Sequence, residues 1–174
     1  MPQAANSISI IIPTLNEAAN INRLLVHLIE EAAGGHISEI IVVDGHSQDN
    51  TAALVKEFSK TSTITIQLIH SERGRAKQMN TGAKASLSSI LYFLHADSLP
   101  PKNFDSLIIS EIEKQQLAGC FKMKFDSNHW WLSLVSWATR FNWSICRGGD
   151  QSLFVSKALF DEIGGFNQEY IIYE

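Results

Sequence analysis

Ile8 to Ile12 form a short apolar run of β type that stops at Pro13. Ile21, Leu24, Leu25, Leu28 and Ile29 then recur at the three- and four-residue spacing of one helix face. Gly34 and Gly35 are placed to end that helix, Ile40 to Val43 read as a second buried strand, and Thr51 to Phe58 carry a second helical pattern. A third run, Thr63 to Ile69, leads into a polar stretch from Ser71 to Asn80, a helical segment to about Ala85 and a fourth strand from Ile90 to Leu94. Short apolar strands that alternate with helices predict a largely parallel sheet joined by right-handed crossovers.

Beyond Pro100 the period changes. Leu107 to Ile112 reads as a helix, whereas Phe121, Met123 and Phe125 alternate with Lys122, Lys124 and Asp126, the pattern of an antiparallel strand with one wet face. Trp130, Leu134, Trp137 and Phe141 share one face of a helix expected from Trp130 to Asn142; that face either packs inward or forms an acceptor platform or membrane-facing surface. Leu153 to Val155 reads as a strand, and Gly164 and Gly165 are placed to terminate a helix around Leu159 to Ile163. No linker or repeat divides the chain, so residues 1–174 are expected to form a single domain of α/β class with a mixed, mostly parallel sheet.

Composition narrows the partners. With 174 residues and 45% hydrophobic content the chain can bury one sizeable core. A net charge of −4 and a pI of about 5.8 give no general attraction to nucleic acid, so an anionic ligand has to be held by local groups. Cys120 and Cys146 have neither metal-ligand spacing nor disulfide density and read as free thiols, which fits a reducing, cytoplasmic setting. No apolar stretch approaches membrane-spanning length; contact with the inner face of a membrane would be peripheral.

In open parallel sheets ligands bind outside the carboxyl ends of the strands, and here those ends are polar. Thr14, Asn16 and Glu17 follow the first strand, Asp44, Ser47 and Asp49 the second, His70, Arg73 and Arg75 the third, and His95 and Asp97 the fourth. Each has a structural alternative. Thr14 and Glu17 have the spacing of a helix capping box, Asp44 can form a turn, and Asp49 can cap the helix that starts near Thr51. Arg73 and Arg75 flank Gly74, and with Lys77 they make either a solvated basic turn or a diphosphate-binding segment, to which Asn80 also belongs. Asp97 is either a turn aspartate or a ligand to magnesium or manganese, which bind through one or two carboxylates with substrate phosphates completing the shell. His95 is open to three roles: second metal ligand, donor to phosphate, or satisfied core histidine.

Ile-Ile-Pro-Thr-Leu-Asn-Glu at 11–17, Val-Val-Asp-Gly-His-Ser-Gln-Asp-Asn-Thr at 42–51 and Leu-His-Ala-Asp at 94–97 together resemble the second family of glycosyltransferases. Gly-Gly-Asp-Gln at 148–151 and Ile-Gly-Gly-Phe at 163–166 extend the resemblance, which looks closest to a bacterial subgroup. It implies the GT-A nucleotide-diphospho-sugar transferase fold, a Rossmann-like sheet flanked by helices. It also implies inverting transfer from a nucleotide sugar to a saccharide, lipid-carrier or small-molecule acceptor. Pro13, Thr14, Glu17 and Asp44 would line the nucleoside pocket, and a carboxylate at Asp44 suits the imide N–H of uracil, so UDP is the expected nucleotide. Asp97 matches the last aspartate of the family's Asp-x-Asp metal motif, while His95 stands where its first acidic residue often lies.

The resemblance also implies a carboxylate base in a Glu-Asp pair after the Gly-Gly-Phe turn. Glu174 matches the glutamate and the sequence stops before the next position, so the chain is expected to be part of a longer protein. Asp150 is the second acidic candidate on the acceptor side, with a structural turn as its alternative. Two other functions compete: a nucleotide-sugar-binding domain with impaired catalysis, and a sugar nucleotidyltransferase. The latter would need a glycine-rich, basic turn after the first strand where Pro-Thr-Leu-Asn-Glu stands.

Overall fold

A computed structural model of the chain describes residues 6–121 and 152–169. The described chain runs β1 (Ile8–Thr14), α1 (Ile21–Glu31), β2 (Ile37–Asp44), α2 (Thr51–Ser59), β3 (Thr65–His70), α3 (Arg75–Ala85), β4 (Ile90–Phe93), α4 (Phe104–Glu113), β5 (Ala118–Cys120), β6 (Leu153–Ser156) and α5 (Lys157–Glu162). The six strands form one sheet in the order β3-β2-β1-β4-β6-β5. β3, β2, β1 and β4 are parallel, while β6 runs antiparallel to both β4 and β5. This is the mixed, mostly parallel α/β sheet that the alternating pattern predicts.

β1 is buried along its whole length because helices cover both faces of the sheet. Successive side chains on a strand point to opposite faces. Ile8, Ile10 and Ile12 therefore enter one core with Leu24, Leu25 and Leu28 of α1 and Phe104 and Ile108 of α4. Ile11 enters the other core, with Met79 and Ala83 of α3 and Phe160 of α5. On that second face Gly82 lets α3 sit close to the sheet: a Cβ there would lie 2.4 Å from Ile11 Cγ2 and 3.0 Å from Val43 Cγ2. The close approach carries the first turn of α3 toward the carboxyl ends of β1 and β2.

Several local features depart from the sequence pattern. Thr14 and Glu17 do not form a capping box, because Thr14 is still strand and α1 starts at Ile21, with Asn20 rather than Thr14 at its N-cap. Gly34 and Gly35 do not end α1 either. The helix stops at Glu31, where the Asn103 N–H takes the Glu31 carbonyl at 2.8 Å. β5 ends at Cys120, directly before the alternating segment from Phe121 to Phe125, of which only Phe121 lies within the described residues. Gly119 permits the pairing of β5 with β6, since a Cβ on it would lie 2.5 Å from Phe154 Cζ of β6. The remainder of that segment and the aromatic stretch from Trp130 to Asn142 lie outside the described residues. Gly164 and Gly165, with φ of 80° and 76°, do close α5, and the Gly165 N–H returns to the Phe160 carbonyl at 3.1 Å.

Asp105 fastens α4 to the turn between α1 and β2. Its buried carboxylate accepts the backbone N–H groups of Ala33 at 3.1 Å and Gly34 at 2.8 Å. Burial pushes the carboxyl pKa up, but donation from the Ala33, Gly34, Ser106 and His36 backbone outweighs it, and the net shift is downward from 3.8. A depressed carboxyl contributes stability that is fully present above its unfolded pKa and is lost as pH falls through its folded pKa. Asp105→Ala is therefore expected to cost about 3 kcal/mol at neutral pH, by stranding buried donors. Urea unfolding checks this, and the gap between variant and parent should narrow below about pH 4.

Candidate functional site

The carboxyl ends of the parallel strands lie side by side: Thr14 pairs with Asp44, and Asp44 with His70. Successive connections carry the chain from β1 outward through β2 to β3, then back past β1 to β4, so the order reverses between β1 and β4. A crevice is expected at such a switch point. A small open crevice lies there. Pro13, Thr14, Leu15 and Glu17 line it from the β1 end, Arg75 and Gln78 from α3, and His95, Ala96 and Asp97 from the β4 end. Six of the sequence candidates thus meet in one cleft.

Asp44 sits beside this cleft with its side chain only 2% exposed. The Ser47 N–H donates to its carboxylate, at 3.1 Å to Oδ2 and 3.3 Å to Oδ1, and His70 Nδ1 lies 3.2 Å from Oδ2. The rings of His46 and His70 stack, with centroids 6.1 Å apart and planes 7° from parallel. His46 reaches that position through a φ of 65°, a left-handed conformation uncommon outside glycine. Oδ1 is the less occupied oxygen and the one with capacity for a further donor.

Three other candidates tie the loops after β1 and β2 to each other. Asn16 Oδ1 accepts the Gln48 N–H at 2.8 Å, and the Asn16 N–H donates to Ser47 Oγ at 2.9 Å. Asp49 accepts the Thr51 N–H and the Ala18 N–H, both at 3.0 Å, while the Thr51 hydroxyl takes the Glu17 N–H at 2.8 Å. Donation from the Thr51 hydroxyl, with that of the Thr51, Ala18 and Asp49 backbone, holds the Asp49 carboxyl below its ordinary value against the smaller effect of burial. Asp49 thus does more than cap α2: it bridges two strand-end loops. Glu17 accepts from Asn20 Nδ2 at 2.9 Å and faces the cleft.

The basic segment divides. Arg75, the first residue of α3, lines the cleft where that helix presents its N-terminal N–H groups, a favourable place for an anion. Arg73 is exposed and does not line it. Asn80 turns away from the cleft to a second groove beside Lys77, Thr81 and Lys84. There its Nδ2 donates to the Phe166 carbonyl at 2.8 Å and its Oδ1 accepts the Phe166 N–H at 2.9 Å. This grips the Gly-Gly-Phe turn and seats Phe166 edge-on to Phe93, at 4.9 Å and 83°. The structure thus gives Asn80 a packing role in place of phosphate contact. Its partner lies 86 residues on, beyond the reach of local spacing.

At the β4 end His95 is partly buried, and its carbonyl accepts the Ser98 N–H at 3.1 Å, closing a turn that leaves Asp97 exposed. Asp97 Oδ1 accepts from the Ser98 hydroxyl at 3.2 Å. Among the described residues no three His, Cys, Asp or Glu side chains gather closely enough to hold a metal ion by themselves. One exposed carboxylate at the mouth of a polar cleft instead fits a divalent cation that arrives with phosphate oxygens. Asp150 and Glu174 lie outside the described residues.

Sequence reasoning missed Gln78, which is buried and donates from Nε2 to the carbonyls of Thr14 and Val43, each at 2.8 Å. Its signal was present: Gln78 and Gly82 are one turn apart, on the face of α3 that approaches the sheet.

Residues 9–167 match the family described as glycosyl transferase family 2. The chain belongs to that family. A mycobacterial relative, the PGL/p-HBAD biosynthesis glycosyltransferase of Mycobacterium bovis, is 30% identical over 175 aligned positions that cover 96% of this chain and 66% of the relative. Among solved structures, the mannosyltransferase PcManGT of Pyrobaculum calidifontis, in complex with GDP-Man and Mn²⁺, superimposes with a TM-score of 0.70 and 22% identity. It is matched over 97% of this chain and 50% of its own. S. aureus TarS 1-349 in complex with UDP-GlcNAc gives a TM-score of 0.72 at 18% identity, over 94% of this chain and 49% of that one. These likenesses establish the GT-A glycosyltransferase fold. The family 2 chain spans about a third to two thirds of the length of the curated relatives first matched, and about half of these solved neighbours.

Proposed function

We propose that this chain binds a UDP-sugar in the cleft between the carboxyl ends of β1 and β4 and serves its transfer, with inversion, to an acceptor hydroxyl. The observation that carries the reading is the convergence of Thr14, Glu17, Arg75 and Asp97 on one crevice, with the Asp44 carboxylate at the neighbouring strand end. The order of groups follows the order of a nucleotide sugar's parts. Asp44 accepts the imide N–H of uracil, Thr14 and Glu17 lie along the nucleoside, and Arg75 with the N-terminus of α3 takes the diphosphate. Asp97 is the residue that would hold a magnesium or manganese ion arriving with the diphosphate. Such an ion, when bound, stabilises the negative charge that develops on the departing UDP. The solved neighbours, one with GDP-Man and Mn²⁺ and one with UDP-GlcNAc, support a nucleotide-sugar donor and a cation.

Transfer then needs a carboxylate to take the proton of the acceptor hydroxyl as that oxygen attacks the anomeric carbon. Asp150 and Glu174 are the candidates, and the acceptor is a saccharide, a lipid carrier or a small molecule. Titration with UDP, CDP and GDP in the presence of manganese tests the donor assignment. UDP should bind at least about tenfold more tightly than CDP, because cytosine N3 has no hydrogen to donate to Asp44. Equal affinity for CDP would reject Asp44 as the base reader, and tighter GDP binding would reject uracil as the base. Arg75→Ala should weaken UDP by about tenfold and leave uridine unchanged, since the guanidinium faces the phosphates. An equal loss for both ligands would move Arg75 away from the diphosphate.

A further inference from the structure

Gln78 is 95% withdrawn from solvent by its 5% relative exposure, yet it borders the cleft. Its Nε2 donates to the last carbonyl of β1, Thr14 O, and to the penultimate carbonyl of β2, Val43 O, each at 2.8 Å. Two carbonyls can be met only by the NH₂ end of the amide, so this pair of bonds fixes which way the group is turned. Both amide hydrogens are thereby used. Among the described contacts no donor is committed to Oε1, the acceptor that Gln78 carries at the cleft lining beside Thr14.

The bonds are not required to satisfy the two carbonyls. Thr14 O also accepts the Gly45 N–H at 2.9 Å, and Val43 O also accepts from the Thr14 hydroxyl at 3.3 Å. Either carbonyl would keep a partner without Gln78, so the fold's polar accounting does not explain a buried amide here. Gly45 adds a second constraint. A Cβ on it would lie 3.1 Å from Nε2, 3.2 Å from Cδ and 3.3 Å from Oε1, so the residue after Asp44 is bare where the amide plane passes.

We infer that Gln78 is a positioning and recognition residue for the nucleoside half of the donor. Its amide sets the spacing between the strand ends that carry Thr14 and Asp44, and its Oε1 accepts a hydrogen bond from the nucleoside. The inference rests on the donor reading above and deepens it. A ligand that fills the cleft shuts water away from this acceptor, and a ligand O–H or N–H then supplies the hydrogen bond that solvent no longer can. The diphosphate offers no such hydrogen, so the contact discriminates between the two halves of UDP.

Gln78→Met keeps the length of the side chain and removes both the donors and the acceptor. Calorimetry with manganese should show UDP bound about tenfold more weakly by this variant, while inorganic diphosphate binds as it does to the parent. A residue that merely supported the fold would weaken both ligands together. Gly45→Ala provides a second variant that leaves Gln78 in place and displaces its amide by a few tenths of an ångström. It too should lose UDP affinity and keep diphosphate affinity. UDP affinity equal to the parent's in a folded Gln78→Met, or parallel loss of both ligands, would overturn the inference. If Gln78→Met does not fold, unchanged UDP affinity in Gly45→Ala overturns it. Failure of the parent itself to bind UDP would count against the donor reading rather than against Gln78.

Discussion

Asp97→Ala is expected to abolish the manganese-dependent part of UDP affinity, a loss of about 10- to 100-fold, while the unfolding midpoint stays within about 2 °C. The two halves of this expectation come from the same placement. Asp97 is exposed at the mouth of the cleft, and its one hydrogen bond among the described contacts comes from the adjacent Ser98 hydroxyl at 3.2 Å. No buried donor is stranded when it goes, so the fold loses little. The cleft, however, loses the carboxylate it sets opposite Glu17 and Arg75 at the β4 end. UDP affinity measured with and without manganese separates the effects: the parent should show a large metal increment and the variant almost none. An unchanged increment in Asp97→Ala would remove this residue from the site.

Gly82→Val is expected to cost about 3 kcal/mol of stability, read as an earlier urea midpoint with an unchanged slope. The first added carbon would already lie 2.4 Å from Ile11 Cγ2 and 3.0 Å from Val43 Cγ2. Both neighbours are fully buried strand residues with helices packed over them, so they have no room to retreat. A β-branched residue brings two more carbons and little gain in helix propensity to offset the clash. Relief requires α3 to rise from the sheet. Arg75 and Gln78 ride on the same helix, so donor affinity should fall together with stability. Parental stability would mean that α3 does not depend on this close approach.

The parallel half of the fold was legible because its strands are buried on both faces. Ile8–Ile12, Ile40–Val43 and Ile90–Leu94 are near-continuous apolar runs, and the helices between them show a one-sided period. The strand-end rule then brought Thr14, Glu17, Arg75, His95 and Asp97 to one crevice before any contact was known. What stayed hidden depends on partners remote in sequence. Asn80 reads locally as a neighbour of the phosphate-binding arginines, but the turn it grips is at Phe166. Asp105 stands in no local pattern that singles it out, because its donors belong to a turn more than 70 residues earlier. The Thr14–Glu17 spacing imitates a cap because strand, loop and helix follow in close succession; the strand simply runs longer than Pro13 suggests. Gln78 went unread because its one-turn spacing from Gly82 marks a helix face that meets the sheet but not the two strand carbonyls its amide reaches.

Asn16, Ser47 and Asp49, within the loops after β1 and β2, show how structural and functional readings of one residue can coexist. Their mutual hydrogen bonds hold the β1 and β2 loops against each other, and that bracing supports Thr14 at the cleft wall and Asp44 beside it. The site is thus built from residues that face the ligand and a second group that keeps the first in place.

The most direct measurement is a calorimetric titration of the chain with UDP, once with manganese and once with a chelator. The account predicts saturable 1:1 binding that is at least about tenfold tighter with the metal, as expected for a diphosphate and a lone carboxylate sharing one ion. Absence of UDP binding under both conditions, or equal affinity in the two, would contradict it.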